Sequence, residues 1–258
     1  MRAIRIGVTG KLGSGKSVLL RLMAEHGFSV IRTDDLAREL MERDSVLRAE
    51  LTEILGSKAY SNGKLDRAFV ASRIFQDKSM LARVESAVHP VVTREVEKIF
   101  REKKSGVVAV ESALILKTRF REIFDYIMLV ESPKEASIER VVKEARLTRS
   151  EAEARLSEQE YSQEAHAEAD FFIGNAGSEE SFEEKCRNLI GILETLEFME
   201  LPETPLHAEK SEPASEENIS EILRNGGLFP GWLLLFAPLV KQITRSYHLT
   251  TESLILCQ

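Results

Sequence analysis

Short apolar runs alternate along this chain with longer stretches in which apolar residues recur every three or four positions. That alternation predicts an α/β chain with a parallel sheet. The apolar runs place strands at residues 4–9, 28–31, 107–111, 126–130 and 171–173. Between the first two, residues 17–26 carry Val18, Leu19, Leu22 and Met23 at helical spacing and stop at Gly27, which suits a helix end. Two more helix starts are marked. Ser132-Pro133-Lys134-Glu135 offers a cap serine, a proline for the first helical position and a reciprocal glutamate. Thr148-Arg149-Ser150-Glu151 repeats the box without the proline. Residues 35–101 show no convincing strand and read as several helices inserted between the second and third strands. Such an insertion suits a small cap or substrate-binding subdomain. No internal repeat is visible.

The pattern changes after about residue 200. Pro202, Pro205 and Pro213 stand among Glu, Ser and Ala, so residues 201–225 read as a flexible linker. Residues 226–258 form an extension that opens with the apolar run Leu228-Phe229-Pro230-Gly231-Trp232-Leu233-Leu234-Leu235-Phe236. A bilayer crossing needs roughly 20 apolar residues, and this run is shorter and broken by proline. Docking on the core or on a second subunit is the plain reading; peripheral membrane contact and a segment without fixed structure are the alternatives.

Composition narrows the partners. The 258 residues are 43% hydrophobic and 30% charged, with a formal net charge of -7. Such a chain buries a core yet has no general attraction for nucleic acid or anionic membrane, so any phosphate site must be local. Cys186 and Cys257 lie far apart, form no metal-ligand spacing and read as free thiols of a reducing compartment. The N-terminus runs directly into a strand, with no signal peptide, so the cytoplasm is the expected location. The sequence does not fix the oligomeric state, and a monomer is favoured.

One motif carries most of the chemistry. Gly10-Lys11-Leu12-Gly13-Ser14-Gly15-Lys16-Ser17 fits G-x-x-x-x-G-K-[ST], with a strand before it and a helix after it. Its glycines let backbone N–H groups at Gly13, Ser14, Gly15 and the start of the helix, including Val18, close around phosphate oxygens. The helix adds the positive end of its dipole. Lys16 is placed to neutralise the β- and γ-phosphates of ATP, and the Ser17 hydroxyl to ligate Mg²⁺. No N-K-x-D guanine motif and no L-S-G-G-Q signature is present, so the GTPase and ABC-type classes recede. A helical insertion and a late arginine-rich segment suit a small-molecule kinase: a P-loop NTPase three-layer fold with a parallel sheet, an inserted helical subdomain and a helical lid. Such a kinase must take a proton from an acceptor hydroxyl lined up with the γ-phosphate. Asp34 and Asp35, just past the second strand, are the candidates, one as base and the other as a helix cap.

Residues 6–10 with the P-loop, followed by Val-Ile-Arg-Thr-Asp-Asp-Leu-Ala-Arg at 30–38, resemble the opening of the dephospho-CoA kinase family. Further blocks follow in register. Gly63-Lys64-Leu65-Asp66-Arg67 with Ile74-Phe75 resembles its G-x-L-[DN]-R … I-F block, and His89-Pro90 its H-P pair. Residues 125–130 resemble the strand before its lid, Arg155 with Gln159 its R-x-x-x-Q ending, and residues 170–177 its last strand with an N-x-G turn. Together these blocks cover residues 1–197. The resemblance implies transfer of the ATP γ-phosphate to the ribose 3′-hydroxyl of dephospho-CoA. It makes residues 1–200 the kinase domain, 35–101 the CoA-binding insertion and 133–165 the lid. It implies Asp34 as the base, Arg38 and His89 as substrate-binding residues, and Asn175 near the adenine. His89 has a competing role as the end of a helix.

In the lid, Arg140 is the candidate for stabilising charge on the transferring phosphoryl group, with Lys143 and Arg146 as alternatives. Glu144 stands where many members carry a second arginine. After the third strand the chain has Ser112-Ala113-Leu114-Ile115-Leu116 where the family often reads P-L-L-x-E, which leaves Glu111 to serve Mg²⁺ through water. Two other functions fit these departures: a kinase for another nucleoside or nucleotide, or a nucleotide-binding regulatory module with weak catalysis.

Overall fold

The strands separate their side chains cleanly onto two faces, with a period of two. Ile4, Ile6 and Val8 of β1 (Ile4–Gly10) join one core, together with Val107 and Ala109 of β5 (Val107–Glu111). Tyr126, Met128 and Val130 of β6 (Tyr126–Glu131) and Phe171 and Ile173 of β7 (Phe171–Gly174) lie on the same face. Val108, Val110, Ile127 and Leu129 enter the opposite core. A strand buried on both faces needs a helical layer on each, which is why the pattern predicts three layers.

The computed structural model describes residues 2–116, 118–145, 147–157, 159 and 168–196. Arg146, the lid positions 158 and 160–165, the linker 201–225, the extension 226–258 and Cys257 lie outside the described residues. The main sheet is parallel throughout, in the order β2-β5-β1-β6-β7, where β2 is Ser29–Arg32. One face is covered by α1 (Lys16–Glu25) and by α8 (Glu179–Leu196), whose Phe182, Cys186, Leu189, Ile190, Leu193 and Leu196 are buried. Cys186 is a free thiol within that core, and burial pushes its pKa up to about 12.

The other face carries the insertion: α2 (Thr33–Arg43), α3 (Ser45–Leu55), α4 (Arg67–Gln76) and α5 (Lys78–Glu102). Aspartates open three of these helices. Asp44 accepts from the N–H groups of Val46 and Leu47, Asp66 from Phe69, and Asp77 from Ser79 and Met80. A further helix pair follows β6: α6 (Lys134–Ala145) and α7 (Arg149–Ser157), packed through Ile138, Val141, Ala152 and Leu156.

Two details of the insertion differ from the sequence reading, and one of the two marked helix starts does. The insertion is not wholly helical: β3 (Tyr60–Ser61) and β4 (Lys64–Leu65) pair as a hairpin. Asn62 and Gly63 turn it at φ 50° and 80°, as a two-residue Asn-Gly turn requires. The helix does not end at His89-Pro90 either. Residues Val84, Val88, Val92, Val96 and Phe100 bury a continuous stripe that carries α5 through Pro90, and packing overrides the backbone bond that proline removes. Finally, Thr148 and Glu151 form the expected reciprocal cap, Thr148 N–H to Glu151 Oε2 at 2.8 Å and Glu151 N–H to Thr148 Oγ1 at 3.3 Å. Ser132 has other work: its hydroxyl donates to Asn175 O at 2.9 Å and accepts from Arg140.

Candidate active site

Because the strands are parallel, β1, β2 and β5 end on one edge of the sheet, and each delivers a functional group there. β1 runs into the phosphate loop. β2 ends at Arg32, two residues before Asp34 in the first turn of α2. β5 ends at Glu111, in register with Val8 on one side and Arg32 on the other.

The loop has the shape the motif requires. Gly13 and Gly15 adopt φ 72° and 107°. A Cβ at Gly13 would lie 2.5 Å from Ser137 O, and one at Gly15 would lie 2.5 Å from Asn175 Nδ2. Neither position accepts a side chain. Lys16 opens α1, and its ammonium donates to Gly10 O at 2.8 Å and Lys11 O at 3.1 Å, curling back over the loop. Ser17 follows on the exposed side of the first turn, while Val18 is half-buried against the core. Ser14 is buried, and its hydroxyl has no hydrogen-bond partner among the described residues.

Lys16, Glu111 and Asp34 form one electrostatic group. Lys16 Nζ stands 3.9 Å from Glu111 Oε1. Burial lowers the pKa of the Lys16 ammonium, an effect that Glu111 and Asp34 oppose. Burial also raises the pKa of Glu111. Lys16 and Arg32 counter that rise, and Asp34 and Asp35 reinforce it. Of the two aspartates, Asp34 is the one whose charge acts on Lys16. Asp35 forms a 2.6 Å bond with Arg38 on the exposed side of α2.

Other predicted residues make their bonds outside this group. Arg140 donates to Gly13 O at 2.9 Å, Ser132 Oγ at 2.8 Å and Asn175 O at 3.1 Å, so its guanidinium braces the loop from behind. Asn175 is buried, and its side chain donates to Ser14 O at 3.0 Å. Among the described residues, no hydrogen bond or ion pair joins the His89 side chain to the Lys16 group; the His89 carbonyl accepts from Thr93 Oγ1. Lys143 and Glu144 are exposed on α6. Two roles go beyond the sequence reading. Arg32 ends β2 on the sheet face that carries Glu111, a position that the strand's alternation marks. Gln159 accepts from Leu12 N–H at 2.7 Å, and no local sequence signal identifies that contact.

The donor set suits Mg²⁺. Ser17, Glu111 and Asp34 offer hard oxygen ligands only. Among the described residues there is no cluster of three or more His, Cys, Asp or Glu able to cage a metal alone. An ion held by one or two protein oxygens, nucleotide phosphates and water fits that arrangement.

A parallel sheet of this order, a phosphate loop between β1 and α1, and carboxylates at the ends of the neighbouring strands define an ATP-dependent P-loop kinase. The chain belongs to the dephospho-CoA kinase family, whose profile matches residues 4–181. The dephospho-CoA kinase of Thermobifida fusca (strain YX) is 31% identical over 182 residues, 70% of this chain and 91% of the relative. The crystal structure of TT1252 from Thermus thermophilus shares 29% identity with a TM-score of 0.63, over 75% of this chain and 99% of that one. Dephospho-CoA kinase from Campylobacter jejuni, 23% identical with a TM-score of 0.52 over 73% and 96% of the two chains, shares the fold.

Proposed function

We propose that this chain transfers the γ-phosphate of ATP to the ribose 3′-hydroxyl of dephospho-CoA, with Asp34 as the base that takes the hydroxyl proton. The observation that carries this reading is the grouping of Lys16, Glu111 and Asp34 where β1, β2 and β5 end. Asp34 opens α2, the first helix of the insertion, so the base stands between the phosphate loop and the acceptor-binding helices. The acceptor enters from residues 35–101, and Arg38 and His89 contribute contacts on that side. Amides at Gly13 and Gly15 and the Lys16 ammonium hold the β- and γ-phosphates, and those of Ser14 and Val18, which donate to Lys11 O at 3.2 Å and Gly15 O at 3.0 Å in the free loop, turn to phosphate when nucleotide binds.

Ser17 and Glu111 would hold Mg²⁺, which supplies charge neutralisation on the phosphates. Arg140 keeps the loop in shape through Gly13 and carries positive charge to the same edge. The lid helices α6 and α7 cover the nucleotide and exclude water.

We place the enzyme in the cytoplasm. The free Cys186 thiol suits a reducing compartment, and no helix among the described residues is long and apolar enough to cross a membrane.

The deciding assay is ADP release from MgATP with dephospho-CoA, adenosine, AMP or cytidine as acceptor. Turnover should require dephospho-CoA, and Lys16→Ala should abolish it. A preference for AMP or cytidine would redirect the acceptor assignment. ATP binding without turnover on any acceptor would make this a regulatory nucleotide-binding protein.

A further inference from the structure

The helix pair α6–α7 grips the phosphate loop at its apex. The Leu12 side chain packs against the small core formed by Ile138, Val141, Ala152 and Leu156. The Leu12 N–H donates to Gln159 Oε1 at 2.7 Å, and Gly13 O accepts from Arg140 at 2.9 Å. Gln159 is itself anchored, because its N–H donates to Leu156 O at 3.1 Å just beyond the end of α7.

The Leu12 N–H and the Lys11 carbonyl belong to one peptide unit. A trans peptide is planar, and its N–H and C=O point in opposite directions; no peptide among the described residues is cis. On its far side this unit presents Lys11 O, which accepts from Lys16 Nζ at 3.1 Å and from Ser14 N–H at 3.2 Å. One rigid plane thus connects Gln159 to the Lys16 ammonium. If Gln159 lost its acceptor oxygen, the plane would be held through Lys11 O alone, and a tilt would move that oxygen away from Nζ. The ammonium would keep Gly10 O at 2.8 Å and the attraction of Glu111 at 3.9 Å, and would shift toward the carboxylate.

We propose that Gln159 is a positioning residue for Lys16, acting through the Lys11–Leu12 peptide plane to hold the ammonium on the phosphate side of the site. The inference rests on the reading of Lys16 as the ligand of the β- and γ-phosphates. A merely structural role, in which Gln159 only finishes the turn after α7, would alter stability without depending on Lys16.

A binding cycle separates these roles. MgATP affinity is measured calorimetrically for the full chain, Gln159→Leu, Lys16→Ala and the double variant, with thermal unfolding as a folding check. Gln159→Leu should weaken MgATP about threefold to tenfold, the range spanned by one neutral hydrogen bond. On the Lys16→Ala background the same change should cost less than about twofold, because the coupled partner is already gone. If Gln159→Leu does not fold, Gln159→Met, flexible and also without an acceptor, carries the same cycle. Equal weakening on both backgrounds, or none on the native background, would overturn the inference. Unchanged affinity in Lys16→Ala alone would instead overturn the assignment of the phosphate loop on which it rests.

Discussion

Gly15→Ala tests how rigidly the protein holds the phosphate loop. Gly15 sits at φ 107°, a conformation that costs a residue with a Cβ about 1–2 kcal/mol. The added Cβ would lie 2.5 Å from Asn175 Nδ2 and 2.8 Å from Phe182 Cε1. Neither neighbour yields easily. Asn175 is 5% exposed and donates to Ser14 O, and Phe182 is 2% exposed in the α1–α8 core. Overpacking of this kind adds about 1–3 kcal/mol, for a total of about 2–5 kcal/mol. For a folded body of this size that corresponds to a melting temperature lower by about 4–20 °C. Gly27→Ala is the internal control, since Gly27 has φ 97° but nothing within 4 Å of the added Cβ. It should lose only the backbone part, about 2–8 °C. The assay pairs thermal unfolding followed by circular dichroism with a MgATP titration of both variants. Gly15→Ala should also bind MgATP more weakly, because displacing Asn175 releases Ser14 O, whereas Gly27→Ala should bind as the parent does. Equal melting temperatures for the two variants would refute the claim that the loop is clamped at Gly15.

Asp34→Asn should lower turnover by about 10²–10⁴-fold, the usual worth of a general base, while MgATP affinity stays near that of the parent. Asp35→Asn should act mainly on the KM for the acceptor by releasing Arg38, and equal loss of turnover in both variants would mean that the base is misassigned. Glu111 gives a pH signature. Its raised pKa means that kcat/KM for MgATP falls, as pH is lowered, through a value above the ordinary glutamate range, and Glu111→Gln should erase that limb. The stability linkage has the opposite sign. The native state binds the proton more tightly than the unfolded chain, so Glu111's contribution is full below the unfolded pKa and is lost as pH rises through the folded one. Identical pH–rate profiles for the parent and Glu111→Gln would sink the assignment. Asp125 is 1% exposed and accepts from both terminal nitrogens of Arg2 at 2.6 Å and from Arg5 N–H at 2.8 Å. Asp125→Ala takes the buried carboxylate away from the Arg2 charge and should destabilise by about 3–5 kcal/mol in denaturant titration, with catalysis per folded molecule unchanged.

The sheet is legible in the sequence because its strands are buried on both faces and leave unbroken apolar runs. All five lie within one or two residues of where those runs place them, and β5 is expected at its full length, Val107–Glu111. The phosphate loop is legible because its chemistry demands local residues: glycines where backbone must approach phosphate, then lysine and serine one after the other. The insertion reads as helical throughout, although Asn62-Gly63 carries the signal for the hairpin. Helical periodicity on either side of so short an element hides it. Pro90 misleads for a different reason: a local rule about helix ends gives way when a stripe running from Val84 to Phe100 is buried. The loop-bracing roles of Arg140 and Gln159 are out of reach, because each depends on contacts with residues 127 and 147 positions away.

Those long-range contacts explain how the site keeps its positive charge available. At 3.9 Å, Lys16 and Glu111 attract without a hydrogen bond between them, and the ammonium rests on two neutral carbonyls of its own loop. A close, buried ion pair at this point would have to be broken before phosphate entered, at a cost of several kcal/mol. Carbonyl contacts cost far less to rearrange, since a neutral hydrogen bond contributes about 0.5–1.5 kcal/mol net. On the proposed reading Asp34 serves as base and Glu111 as metal ligand, while the charge meant for the nucleotide stays on the loop. That separation depends on the Lys11 and Gly10 carbonyls keeping their direction. Both belong to a loop braced from outside the motif, by Arg140 at Gly13 and by Gln159 at Leu12. The eight-residue motif thus supplies the groups that meet phosphate, and the helix pair beyond β6 supplies their orientation.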